Sequence, residues 1–181
     1  EFLFAPGQVV EVRALSDTGT FSGYYNDIDR LAADAEALDS TPQFKGIYFT
    51  LNPVNPALLA RKVNRISKQG KTDASTSDQD ITRRRWLPVD IDPTRPSGIS
   101  SSNEEHEEAL TKAKKIRGFL SEMGWPVPIL ADSGNGAHLL YRIDLPNDAE
   151  ATQLVKDCLT TLSQFFTDAR SSVDIANHNA S

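Results

Sequence analysis

The run from Arg84 to Pro93, Arg-Arg-Trp-Leu-Pro-Val-Asp-Ile-Asp-Pro, constrains this chain more than any other stretch. Trp86, Leu87, Val89 and Ile91 are apolar and partly β-branched, and Pro93 stops the run, so it reads as a strand. Side chains alternate along a strand. Asp90 and Asp92 therefore project from one face, roughly 7 Å apart at the backbone, and Val89 and Ile91 from the other. Two buried anions that close repel each other, and without a cation at least one is expected to take a proton or recruit a basic partner. Two divalent ions about 3.5–4 Å apart convert such a pair into a coordination platform. The plainer reading of a bare Asp-x-Asp is a strand end with two solvated acids, and the rest of the chain decides between the two.

Composition sets outer limits. With 181 residues, 39% hydrophobic and 24% charged, the chain is long enough for one substantial core. Its apolar runs are short, and the opening Glu-Phe-Leu-Phe-Ala-Pro-Gly has neither the basic flank nor the apolar length of a signal peptide, so no membrane partner is expected. The one cysteine, Cys158, falls on the apolar side of a predicted helix; it reads as core filler in a reducing, cytoplasmic compartment, and it leaves no Cys-built zinc site within the chain. A net charge of −6 argues against indiscriminate coating of nucleic acid but leaves room for a local basic groove. The chain begins without Met and stops in a polar stretch, which reads as a piece of something longer.

The N-terminal part, 1–66, reads as an αβ unit. Strands are expected over Gln8 to Arg13 and Lys45 to Leu51, with a helix between them from Asp27 to Leu38. Asn55-Pro56 looks like the start of another helix, whose basic continuation carries Arg61, Lys62, Arg65, Lys68 and Lys71 with no acid among them. That is either a solvated face or a surface for nucleic-acid phosphates. Ser67 to Asp80 is polar and unpatterned, as in a mobile loop. Strand alternation then sends Arg84 to the face of Asp90 and Asp92.

Beyond Pro93 the spacing predicts a helix near 103–123, opened by a Ser-x-x-Glu capping box and closed by Gly124, with Leu110, Ala113, Ile116, Leu120 and Met123 as its buried stripe. A hairpin follows: Pro128 to Asp132, the turn Ser133-Gly134-Asn135-Gly136, and Ala137 to Ile143. Its glycines are compatible with a plain turn, or with backbone N–H groups bared to a phosphate. Alternation puts His138, Leu140 and Arg142 on one face, His138 nearest the turn. A helix over 148–166 with Asn147 as its cap comes next, its buried side including Leu154 and Phe165, and then a short strand Ser172 to Ile175 carrying Asp174, a third carboxylate.

In this order Val-Asp90-Ile-Asp92, Ser133-Gly134-Asn135-Gly136-Ala137-His138 and Val173-Asp174 resemble the three signature motifs of the archaeo-eukaryotic primase superfamily, the primase-polymerases. The resemblance runs from about Tyr48 to the C-terminus. The phrases Tyr48-Phe49-Thr50-Leu51-Asn52-Pro53, Arg95 to Ser101 and His138-Leu139-Leu140-Tyr141-Arg142 look like those of phage, plasmid and mobile-element primases, which are usually fused to a helicase. It implies an α/β (α+β) catalytic domain over 1–181, with a mixed, largely antiparallel sheet of about six strands, flanking helices, an RRM-like part beside the N-terminal αβ unit, and a metal- and nucleotide-binding part over 84–181. Asp90, Asp92 and Asp174 would carry two divalent ions, Mg²⁺ or Mn²⁺. Ser133, Gly134, Asn135, Gly136 and His138 would hold the triphosphate of a (d)NTP, braced by Arg84 or Arg95, against a single-stranded DNA template. Two other readings keep the fold: a non-catalytic single-strand-binding or replication-initiation module, and a metal-dependent nuclease.

Overall fold

In a computed structural model, residues 3–71, 73–96 and 99–181 are described. The chain divides into two compact units, Glu1–Arg84 with Ala180–Ser181, and Arg85–Asn179. The architecture is α+β, with helices and two four-stranded sheets in place of the single sheet of about six strands expected.

In the first unit, strands β1 (Val10–Ser16) and β2 (Gly19–Tyr25) form a hairpin. Helix α1 (Ile28–Asp39), capped by Asp27, leads to β3 (Phe44–Phe49), which pairs antiparallel with β1; a two-residue strand β4 (Ser67–Lys68) pairs with β2, giving the order β3-β1-β2-β4. One face of this sheet, Val10, Val12, Ala14 and Tyr25, buries Leu31 and Leu38 of α1. Hairpin strand β2 lies outside the sequence expectation because its glycines and serine dilute the alternation.

Two local expectations fail here. The helix starting at Pro56 is a 3₁₀ turn that ends at Arg61. Lys62 is extended (φ −155°) and Asn64 sits at φ +46°, so the basic residues from Arg61 to Lys71 do not share a helix face. Farther on, Thr76 is buried, its N–H donating to Glu11 Oε2 at 2.9 Å and its carbonyl accepting from Arg13 Nη2 at 2.5 Å.

Unit two holds the second sheet, order β6-β7-β5-β8, made of β5 (Arg83–Pro93, entering from the first unit), β6 (Ile129–Asp132), β7 (Ala137–Pro146) and β8 (Ser171–Val173). Leu87, Val89, Ile91, Leu139, Tyr141 and Val173 line one face. Helices α2 (Asn103–Glu122) and α3 (Ala149–Phe166) cover that face through Ala109, Ala113, Ile116, Leu120, Val155, Leu159 and Leu162. The capping box of α2 uses Ser102 and Glu105; α3 is capped by Asp148, whose side chain accepts from Ala151 N at 2.8 Å, and not by Asn147. Met123, Leu154 and Phe165, expected inside, are 64%, 57% and 68% exposed. Cys158 packs at the edge of this core, and burial pushes its thiol pKa up. Among the described residues no helix is long and apolar enough to cross a membrane.

Candidate metal and nucleotide site

With α2 and α3 on one face, the opposite face of the second sheet is left for polar groups. Strands β5 and β8 run antiparallel with Ile91 opposite Val173 and Asp92 opposite Ser172. Continuing that register sets Asp90 against Asp174, and Asp174 N donates to Asp90 O at 2.9 Å. Strand β7, on the other side of β5, brings His138 up to the same face, its Nε2 3.2 Å from Asp90 Oδ1. The three acids and the histidine named from the sequence therefore converge.

Electrostatics follow from this crowding. Burial, then the neighbouring charge of Asp90 and the more distant Asp174, push the Asp92 carboxyl above its usual range, against the pull of Arg95 and His138. Contact with Asp90 raises the His138 pKa despite partial burial, with Asp92 adding to the effect. Asp90 Oδ1 is buried and receives no well-aligned hydrogen bond, so its approach to His138 is better described as an ion pair than as a hydrogen bond. Asp90 Oδ2 takes a long 3.4 Å bond from Asn177 Nδ2, and Asp174 Oδ1 accepts from Ala176 N at 2.8 Å. Asn177 lies in a 3₁₀ turn after β8, with no sequence signal beyond its position three residues past Asp174.

This donor set suits a hard divalent cation: oxygen ligands, one buried oxygen without an aligned donor, and an acid that resists ionising beside its neighbours. Among the described residues, however, no three His, Cys, Asp or Glu side chains already close into a metal-holding group. The acids share a face without forming a preassembled cage.

The turn beside them is tied up internally. Gly134 N donates to Asp132 Oδ1 (2.7 Å) and Gly136 N to Ser133 Oγ (2.9 Å), while Asn135 Oδ1 accepts from Ser101 N (3.0 Å). Asp132 also meets His106 Nε2 of α2 at 2.7 Å. The chain matches no family model, no curated protein and no solved structure. The site therefore stands on its own geometry.

The two arginines separate. Arg95 Nε donates to Ile99 O at 2.7 Å, and its charge counters that on Asp92. The Ser97-Gly98 part of its phrase lies outside the described residues. Arg84 is 3% exposed and belongs to the first unit. There, against the upward push of burial, hydrogen bonds from Ser181 and Ala180 and the charge of Arg84 hold the Asp78 carboxyl below its usual range. Alternation gives Arg84 the parity of Asp90, but six residues of strand are about 20 Å. Of the basic set, Lys62 Nζ is engaged by Ser67 O (3.2 Å) and Asp73 Oδ2 (3.3 Å), and Arg61 Nη1 by Ala74 O (3.1 Å); Arg65, Lys68 and Lys71 are exposed.

Proposed function

We propose that this chain is the catalytic domain of a primase-polymerase, transferring a nucleotidyl group from a (d)NTP to a 3′-hydroxyl on a single-stranded DNA template. The observation that carries the reading is the antiparallel pairing of β5 with β8, which sets Asp174 beside Asp90 while Asp92 and His138 occupy the same sheet face. Asp90, Asp92 and Asp174 would hold two divalent ions. When bound, such ions activate a hydroxyl for in-line attack and neutralise charge on the departing pyrophosphate.

The chain's own groups do the positioning. With a cation held by Asp90, His138 would be free to donate Nε2–H to a phosphate oxygen. Arg95, whose charge already reaches Asp92, supports negative charge on the same side. A helicase, fused or separate, is the partner that the resemblance implies.

Primer extension and dinucleotide synthesis with Mg²⁺ or Mn²⁺, comparing the parent with an Asp90→Asn/Asp92→Asn variant, test this directly. Metal-dependent product from the parent alone is expected; parent and variant equally silent while the parent also fails to bind nucleotide with metal would sink the reading.

A metal-dependent nuclease is the second reading, favoured by one observation: the turn's Gly134 and Gly136 N–H groups are already engaged by Asp132 and Ser133. A nuclease needs metals and a water but no triphosphate cradle. Nucleotide affinity that falls in His138→Ala separates the polymerase from it.

A further inference from the structure

The strand that delivers Asp174 is followed at once by a turn that folds back on Asp90. Strand β8 ends at Val173, Asp174 comes next, and Ala176–His178 is a 3₁₀ turn. Asp174 Oδ1 accepts from Ala176 N at 2.8 Å and His178 Nδ1 donates to Ile175 O at 2.9 Å, so the turn is pinned on both sides of Asn177. Asn177 is half-buried, and its side-chain Nδ2 lies 3.4 Å from Asp90 Oδ2.

That bond is at the long limit for an N–H donor, so it holds the amide weakly. Asn177 Oδ1 accepts no hydrogen bond from the described residues. A half-turn of the amide about its last side-chain torsion therefore breaks one weak bond and sets the oxygen where the nitrogen now stands. Asn177 Oδ1 and Asp90 Oδ2 would then face each other across about the same 3.4 Å. Two bare oxygens that close repel, which accounts for the amide presenting its nitrogen. With a hard cation between them the preference inverts. Adjacent oxygens of an octahedral shell with bonds of about 2.1 Å lie roughly 3 Å apart, so a small closure of the pair completes the contact.

We infer that Asn177 is a metal ligand, its carbonyl oxygen joining Asp90 Oδ2 on one of the divalent ions. The inference rests on the metal reading above and extends its donor set. Hard divalent ions take roughly six or more oxygens, side-chain amides among them, so three carboxylates leave places for others. A neutral oxygen suits this one. Asp90 and Asp92 already repel, and a further anion beside them would also oppose an incoming triphosphate.

Mn²⁺ affinity is read from the EPR signal of the free ion, without nucleotide, for the parent, Asn177→Leu and Asn177→Asp, with folding followed by circular dichroism. Leucine keeps the volume and removes the oxygen, so affinity should fall roughly tenfold; aspartate keeps an oxygen and adds charge, so affinity should rise roughly tenfold. A residue that only orients Asp90 by donating to it loses affinity in both variants. A bystander near the ion gains with aspartate and stays level with leucine. Either of those patterns overturns the inference. Anomalous scattering from parent crystals soaked in Mn²⁺ decides without a variant: Asn177 Oδ1 within about 2.5 Å of an ion is expected, and an amide still turning Nδ2 to Asp90 beside a bound ion overturns it. A parent that binds no Mn²⁺ removes the metal reading and this ligand with it. A parent that binds Mn²⁺ with either contrary pattern loses the ligand alone, and ligation without primer extension keeps the ligand and removes the polymerase.

Discussion

Asp174 N donates to the carbonyl oxygen of Asp90 across 2.9 Å, so a backbone hydrogen bond fixes the spacing of two acids that are 84 residues apart in sequence, 174 less 90. Their side chains owe their shared face to strand pairing, and exchanging a carboxylate for an amide leaves that pairing intact. Asp90→Asn and Asp174→Asn should therefore fold normally by circular dichroism and, on the proposed function, each lose metal-dependent extension by roughly a thousandfold, the several kcal/mol of charge stabilisation that bound metal would supply. An unfolded Asp174→Asn would show instead that the acid serves the structure.

Asp92 gives a stability prediction with a definite sign. Its carboxyl pKa is raised by burial and by Asp90, so the folded state favours the protonated form. The stabilising contribution is thus present below the unfolded carboxylate range and lost as pH rises through the folded value, which makes ionised Asp92 a liability at neutral pH. In chelator at pH 7, Asp92→Asn should have a higher Tm than the parent. On the proposed two-metal reading, adding Mn²⁺ should reverse the order: at about 100 times Kd, linkage would add ~2.7 kcal/mol to the parent, a Tm rise of roughly 5–10 °C that the variant should largely lack. Melting curves with and without metal read both effects.

Particular residues show what was legible. Strand β5, the hairpin β6–β7 and helices α2 and α3 announce themselves because each combines a local apolar period with a stop or cap, and the acids and His138 inherit their common face from those periods. Strand β2 is hidden by Gly19, Ser22 and Gly23. The stretch after Lys62 is ordered by partners that no local pattern contains: Gln69 Nε2 on Ser22 Oγ, Thr76 on Glu11, and Asp78 taking both Ser181 N and Ala180 N. For Arg84, parity gave the face but not the distance along the strand. In the turn, the residues were found while their present bonding was not, since Asp132 and Ser133 take the N–H groups that a phosphate would need.

Two glycines of one turn should respond differently to alanine. A Cβ on Gly136 would lie 2.3 Å from Ile91 O and 3.1 Å from Asp92 Oδ1, so Gly136→Ala must push β7 off the strand that carries the acids. Gly134 meets nothing within 4 Å but sits at φ +77°, so its alanine costs about 1–2 kcal/mol of backbone strain and no more. Gly136→Ala is expected to be destabilised further, by about 1–3 kcal/mol of overpacking, and to lose metal affinity, whereas Gly134→Ala keeps it. Urea melts together with Mn²⁺ titration of the two variants decide; equal metal affinity would place the Gly136 contact outside the site.

Lys112 anchors β8 from behind. It is 8% exposed, and its Nζ donates to Ser171 O at 2.8 Å and pairs with Asp168 Oδ1 at 2.9 Å. Lys112, with backbone N–H groups of Arg170 and Ser171, holds the Asp168 carboxyl down to about 2. A depressed carboxylate contributes stability that is complete above its unfolded pKa and disappears as pH falls through the folded value, so the window here runs from about 4 down to about 2. Lys112→Met removes the donor to Ser171 O and the partner of Asp168 together. At pH 7 it should lower stability by about 1–3 kcal/mol, mostly through the abandoned carbonyl. The gap between parent and variant in urea midpoint should narrow between pH 4 and pH 2, as protonation of Asp168 removes the ion pair from the parent as well. A gap that stays constant over that range would mean the ion pair contributes nothing and the Ser171 bond alone secures the strand that delivers Asp174.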